Sequence, residues 1–144
     1  MGLRKFRSQK VFLDTAPLIY FIEGNTAYQP SLIKLFTAYD DGDFSFITST
    51  LTLVEVLVQP MKLNRQDLVE QYKQILSEAS GIVMVEVTAA VAVKAAELRA
   101  KYGLKTPDAI QVATAVMHEA KYFLTNDFRL KSVKEIVTVT PNEI

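Results

Sequence analysis

Four acidic residues stand at points in this sequence where carboxylates can do chemistry together. Asp14 follows the apolar run Val11-Phe12-Leu13, and Glu55 interrupts Leu53-Val54-Glu55-Val56-Leu57. Asp108 follows Thr106-Pro107, and Asp127 comes two residues after Phe123-Leu124-Thr125. Two carboxylates about 5 Å apart repel by roughly 3 kcal/mol at an effective dielectric of 20, so a pocket holding all four demands a cation. Magnesium or manganese suits carboxylate and water oxygens, and both commonly work beside phosphate groups. One such ion lowers the pKa of a bound water, and a pair can flank the attacking and leaving oxygens of an in-line displacement. The chemistry to which such a set points is phosphodiester hydrolysis.

Each acid also has a plainer use. Asp14 can cap the helix that starts near Ala16, Asp108 gains from the dipole of the helix it opens, Asp127 can cap the turn after Asn126, and Glu55 can be turned toward water. Taken one at a time they decide nothing; the fold must bring them together.

The elements that would do so follow from the apolar pattern. Val11 to Leu13 reads as a buried strand that turns at Asp14 into a helix through Leu18, Ile19 and Phe21. A helix from about Tyr28 to Tyr39 ends in Asp40-Asp41-Gly42-Asp43, and Phe44 to Thr48 follows as a strand. Ser49 or Thr50 caps a helix carrying Glu55 that should stop at Pro60. Arg65 to Ser80 is amphipathic, ending near Gly81, and Ile82 to Val87 is β-branched and strand-like. Thr88 opens an alanine-rich helix that closes at Gly103, and Thr106 caps the next, with Pro107 in its first turn. Tyr122 to Thr125 and Ile136 to Thr140 complete the strands, with a helical turn over Phe128 to Lys131 between them. Strands alternating with helices predict an α/β fold: one three-layer α/β/α sandwich over residues 1–144 around a mainly parallel sheet. Ligands of such sheets gather at the carboxyl ends of the strands, where Asp14 and Asp127 lie.

Composition narrows the function classes. The 144 residues are 49% apolar and 22% charged, which is globular. With no cysteine a thiolate site is excluded, the one histidine, His118, cannot build a zinc site alone, and His118 needs no catalytic role. Sixteen basic residues balance sixteen acidic ones, so any nucleic-acid contact must be local. The basic segments are Arg4 to Lys10, Arg99 to Lys105, and Arg129 to Lys134. No apolar run reaches the ~20 residues a membrane span needs, and the basic N-terminus lacks the apolar stretch of a signal peptide; no membrane role and a cytoplasmic location are expected. Tyr20, Phe21, Phe36 and Tyr39 read as core or a self-association face, not as base-stacking platforms.

The segments VFLDTAPLIYFIE, STLTLVEVL, YGLKTPDAIQVATA and YFLTNDFRL together resemble the PIN-domain family, and in particular the VapC-like toxins of toxin-antitoxin pairs. The resemblance extends from residue 11 to residue 130. It implies an acidic pocket for Mg2+ or Mn2+ in which Asp14, Glu55, Asp108 and Asp127 occupy the family's four acidic positions in order. It also implies a metal-dependent endoribonuclease, with Thr125 and Asn126 orienting an acid or a bound water. Lys105 and Arg129 lie near this site in the sequence and are candidates to grip RNA phosphates. The partners implied are an RNA substrate, a small cognate antitoxin and a second copy in a homodimer. The chain departs from many relatives at Ala16, where they carry a polar residue. A haloacid-dehalogenase-like phosphatase would need an aspartate at that same position, and a receiver domain's acidic pair and late lysine are missing. Two other readings stay open: a PIN-like binding module without activity, and a PIN nuclease that works in RNA processing.

Overall fold

The computed structural model describes residues 2–24, 27, 29–42, 44–77 and 82–144. Five strands form one sheet: β1 (Lys10–Leu13), β2 (Ser45–Ser49), β3 (Val83–Val85), β4 (Tyr122–Leu124) and β5 (Val137–Val139). Their spatial order is β3-β2-β1-β4-β5, and every neighbouring pair is parallel. The chain starts at the centre, builds outward to β3, then crosses back to lay β4 on the other side of β1. The order therefore reverses between β1 and β4, and the strand ends there form the crevice in which open parallel sheets bind ligands.

Among the described residues, six α-helices cover both faces: α1 (Thr15–Glu23), α2 (Gln29–Asp40), α3 (Thr50–Lys62), α4 (Gln66–Ile75), α5 (Ala89–Tyr102) and α6 (Thr106–Met117). Val11 and Leu13 point to one face, where they pack with Leu18, Leu32, Leu35, Val56, Leu68 and Tyr72 of α1 to α4. Phe12 points to the other, stacking on Phe123 at 4.9 Å beneath Val91, Ala95 and Leu98 of α5 and Ala109, Val112 and Ala113 of α6. Burial on both sides explains why β4, and β1 after its exposed first residue Lys10, are apolar rather than alternating. The expected three-layer α/β/α sandwich is what forms. Phe21 and Phe36 stack at 4.0 Å within the α1–α4 layer, and Tyr39 packs beside them. Among the described residues, no helix is long and apolar enough to cross a membrane.

Several boundaries differ from the sequence pattern. Pro60 does not end α3, which continues to Lys62. Proline removes only its own donor, its ring is buried, and Leu63 and Arg65 still donate to the Gln59 and Pro60 carbonyls at 3.0 and 2.9 Å. Thr106 is the first residue of α6 rather than its cap, and Lys105 takes the cap position without a side-chain bond. The edge strands are short because their partners are: β2 gives way to α3 at Ser49, which leaves Glu86 and Val87 nothing to pair with. The helix after Arg65 runs from Gln66 to Ile75; its expected end at Ser80 and Gly81 lies outside the described residues, as do Tyr28 and Asp43 at the ends of the second helical segment. The N-terminal 3-10 helix, Gly2–Phe6, was not expected from its basic composition. It delivers the fully buried Phe6 against Phe44 and Tyr122.

The link from α5 to α6 sets where Asp108 stands. Gly103 ends α5 in the left-handed region at φ 69°, donating its N–H to Arg99 O at 2.8 Å, and a Cβ added there would meet nothing within 4 Å. The cost of Gly103→Ala is therefore one of backbone conformation alone, about 1 kcal/mol. Urea unfolding of the variant should show that loss, and an unchanged midpoint would contradict this account of the turn.

Candidate active site

The acidic cleft opens at the reversal between β1 and β4. Leu13 and Leu124 are paired in register, so the residues that follow them, Asp14 and Thr125, leave the sheet side by side. Asp14 donates its N–H to Leu124 O at 3.0 Å, which holds the backbone at the strand end. Its side chain caps α1, with Oδ1 accepting from the Thr15 N–H at 2.9 Å. Its other oxygen accepts from the Thr125 hydroxyl at 2.7 Å. Capping and site membership are thus not rival roles for Asp14: one oxygen serves the helix, and the whole group faces the cleft. Thr125 is itself buried, and its Oγ1 accepts from the Asp127 N–H at 3.1 Å. One hydroxyl therefore orients the first acid and the backbone of the last.

Glu55 sits in the second turn of α3, started by Ser49, whose side chain accepts from the Leu51 N–H. It reaches back toward β1, where its Oε1 accepts from the Thr15 hydroxyl at 2.8 Å. Thr15 thus joins two acids, a role that sequence reasoning missed; the only signal was a hydroxyl residue directly after Asp14. Asp108 is half-buried in the first turn of α6. Asp127 caps the 3-10 helix Phe128–Ser132 and is held by Arg129, whose Nε and Nη2 reach its two oxygens at 3.0 and 2.7 Å. Arg129 therefore engages an acid while its side chain stays exposed. The four acids line one cleft of about 440 Å³ with Thr15, Ala16, Ile19, Pro107, Gln111, Thr125 and Asn126. Asn126 Oδ1 is buried there without a hydrogen-bond partner, which marks it as an acceptor for something that enters the cleft. Lys105 is exposed and lies outside this cleft.

Beneath the cleft runs a buried chain of polar side chains that sequence reasoning also missed. Ser49 donates to Gln111 Oε1 at 2.5 Å, and Gln111 Nε2 donates to Thr52 Oγ1 at 2.7 Å. The Thr48 hydroxyl lies 2.8 Å from Thr52 Oγ1 and 2.9 Å from Leu13 O. With one proton to give, Thr48 donates to the carbonyl, and Thr52 supplies the proton between the two threonines. The chain joins α6, α3 and the end of β1, the three elements that carry Asp108, Glu55 and Asp14. Each polar atom in it finds a partner, as burial requires.

The electrostatics separate the acids. Burial pushes the Asp14 carboxyl from the usual 3.8 up to about 6, against the bonds from Thr125 and Thr15, with Glu55 and Asp108 adding repulsion. Burial and then the charge of Asp127 push Asp108 up, whereas the Arg129 hydrogen bond holds Asp127 down. Among the described residues no group of three acids is close enough to hold one ion by itself. Magnesium, however, keeps several waters and binds through one or two carboxylates. The donor set of carboxylate, hydroxyl and amide oxygens, with the orphaned Asn126 Oδ1, is chemically of the kind such an ion takes.

A carboxyl whose pKa is raised by folding binds its proton more tightly in the folded state. Stability from Asp14 therefore falls as pH rises from about 4 to about 6, and the full penalty, about 3 kcal/mol, stands above that window. In EDTA, Asp14→Asn should be more stable than the unsubstituted protein at pH 7.5, by about 2 kcal/mol since the amide keeps only one acceptor. The difference should vanish by pH 4. Thermal or urea unfolding at both pH values checks this, and a variant less stable than its parent at pH 7.5 would contradict it.

A sequence model of the PIN domain matches residues 11–136. No curated protein matches the chain. Among solved structures, a toxin-antitoxin complex from Klebsiella pneumoniae contains a chain 26% identical, with a TM-score of 0.70 and an alignment covering 93% of this chain and 99% of that one. VapBC2 from Rickettsia felis, bound to a DNA fragment from its promoter, is 15% identical with a TM-score of 0.72, covering 92% and 98%. VapC20 from Mycobacterium tuberculosis, a toxin that cleaves the sarcin-ricin loop, is 13% identical with a TM-score of 0.70, covering 86% and 95%. At these two lower identities the likeness is one of fold. The family match spans most of the chain and includes all four acids, and so this chain belongs to the PIN-domain family.

Proposed function

We propose that this protein is a metal-dependent endoribonuclease that hydrolyses RNA phosphodiester bonds, and that it serves as the toxin of a toxin-antitoxin pair. The observation that carries the reading is the convergence of Asp14, Glu55 and Asp108 on one cleft with Asp14 buried against the charge of the other two. Sites are where a fold tolerates such unfavourable burial. Asp14, Glu55 and Asp108 would hold Mg2+ or Mn2+, with Asp127 joining them once Arg129 lets go. A bound ion of this type supplies Lewis acidity and a water acidic enough to attack a phosphodiester near neutral pH. Thr125 and Thr15 keep the carboxylates of Asp14 and Glu55 aimed, and Asn126 Oδ1 is free to accept from a water or a ribose hydroxyl.

Family membership and the toxin-antitoxin complexes among the similar structures support the toxin role and a small cognate antitoxin that covers the cleft. A homodimer goes with the same reading. Val54, Val58 and Met61, exposed along one face of α3, offer apolar surface to such partners. A cytoplasmic location goes with the same reading. The grip of Arg129 on Asp127 favours one alternative, a PIN-like module that binds without cutting, because it neutralises the fourth acid.

The test is cleavage of total cellular RNA by the purified protein with Mg2+, Mn2+ or EDTA. Cutting should need metal and be abolished in Asp14→Asn and in Asp108→Asn. Thr125→Val, which removes the hydroxyl that supports Asp14 and the Asp127 backbone, should lower cleavage by about 10- to 100-fold. Cutting that persists in EDTA or in Asp14→Asn would refute the metal-site assignment, and no cutting under any condition would favour the binding module.

A further inference from the structure

A second cleft, of about 300 Å³, lies against the acidic one and shares Asp108 and Asp127 with it as a common wall. Lys105, Arg129, Ser132 and Tyr102 also line it. Lys105 is exposed and makes no ion pair among the described residues. Arg129 pairs, among the described residues, with Asp127 of the shared wall. Both cations lie within electrostatic reach of Asp108 and Asp127. The remaining walls carry few competing groups: Tyr102 spends its hydroxyl proton on Glu135, and Ser132 donates to Arg129 O.

The charges of this pair of clefts are arranged in order. First come Asp14 and Glu55, then the shared wall of Asp108 and Asp127, then Lys105 and Arg129. An anion alone would meet the acidic wall and be repelled. An anion arriving with the acids neutralised would meet two cations with nothing left to hold. We propose that the second cleft is a phosphate subsite, taking the phosphodiester of the nucleotide next to the one being cut, with Lys105 as its standing contact and Arg129 recruited from Asp127. This rests on the nuclease reading and adds to it where the chain of the substrate leaves the acidic cleft. Arg129 changes partners: its two-pronged bond to a carboxylate is exchanged for the equivalent bond to a phosphate, which its planar fork fits equally well. Lys105, on a flexible stem, supplies a point charge.

The probe is uridine 3′,5′-bisphosphate, which has two phosphates and no diester to cut, compared with uridine 3′-monophosphate and uridine 5′-monophosphate by calorimetry in Mg2+. The bisphosphate should bind about tenfold more tightly than the better monophosphate, as one added charge-assisted contact implies. Lys105→Ala should erase that advantage and Lys105→Arg should restore it. Lys121→Ala, just before β4 at the end of that strand opposite Thr125, should leave it intact. Amide shifts on binding should fall on residues 105–108 and 129–132. An equal affinity for mono- and bisphosphate, or an advantage that survives in Lys105→Ala, overturns the subsite. If the same preparation cuts RNA, only the subsite falls; if it neither cuts RNA nor binds the bisphosphate, both readings fall. An advantage lost in Lys105→Ala in a protein that cuts no RNA keeps the subsite and removes the catalytic reading.

Discussion

The constraint on which the rest of this structure depends is the burial of the Asp14 carboxyl in a cleft that it shares with Glu55 and Asp108. Burial first, and then the charges of those two acids, hold the carboxyl near pH 6 instead of below 4. The fold supplies the opposing force. Apolar packing on both faces of the sheet fixes where β1 and β4 end, and the reversal of strand order between them opens the crevice. Hydrogen bonds from Thr125, from Thr15 and from the Thr15 backbone then hold two of the acids in place.

Below that surface the Ser49, Gln111, Thr52 and Thr48 chain acts as a polar peg through the meeting point of three elements. A purely apolar contact there would tolerate sliding, since hydrophobic packing is not directional. A buried chain in which every donor has one acceptor does not, because any slip leaves a polar atom dry and unsatisfied. The register of α6 against α3 and β1, and with it the spacing of Asp108, Glu55 and Asp14, is set by that requirement. The fourth acid is treated differently. Asp127 stands at the rim on a short 3-10 helix, and its charge is matched by a residue of its own turn. The cleft thus has three acids anchored in the scaffold and one whose pairing is free to change.

Much of this was legible in the sequence, for identifiable reasons. The strand at Val11 to Leu13 and its turn at Asp14, the capping of α5 by Thr88 and its end at Gly103 rest on local rules of burial, capping and backbone conformation, and they formed as those rules require. The four acids were legible because an acid at a strand end or within an apolar run is conspicuous, and the structure gathers them in one cleft. What escaped was long-range. Gln111 and Thr52 are 59 residues apart, and Thr125 and Asp14 are 111 apart; on their own helices or strands they look like ordinary polar positions. The partner of Arg129 escaped for the opposite reason. It lies two residues away, but in a cap geometry that the sequence does not announce. Pro60 was misread because it stands in the last turn of α3, where the loss of its donor does not stop the helix from reaching Lys62.

The central claim is that these carboxylates are held together to receive a divalent cation, and the direct measurement is anomalous diffraction from crystals of the protein soaked in Mn2+. The account requires a manganese peak inside the cleft, bonded to at least one of Asp14, Glu55 and Asp108 at about 2.0 to 2.2 Å, lost in crystals of Asp14→Asn. A cleft that stays free of manganese at saturating concentration, or a peak confined to other acids of the surface, would contradict it.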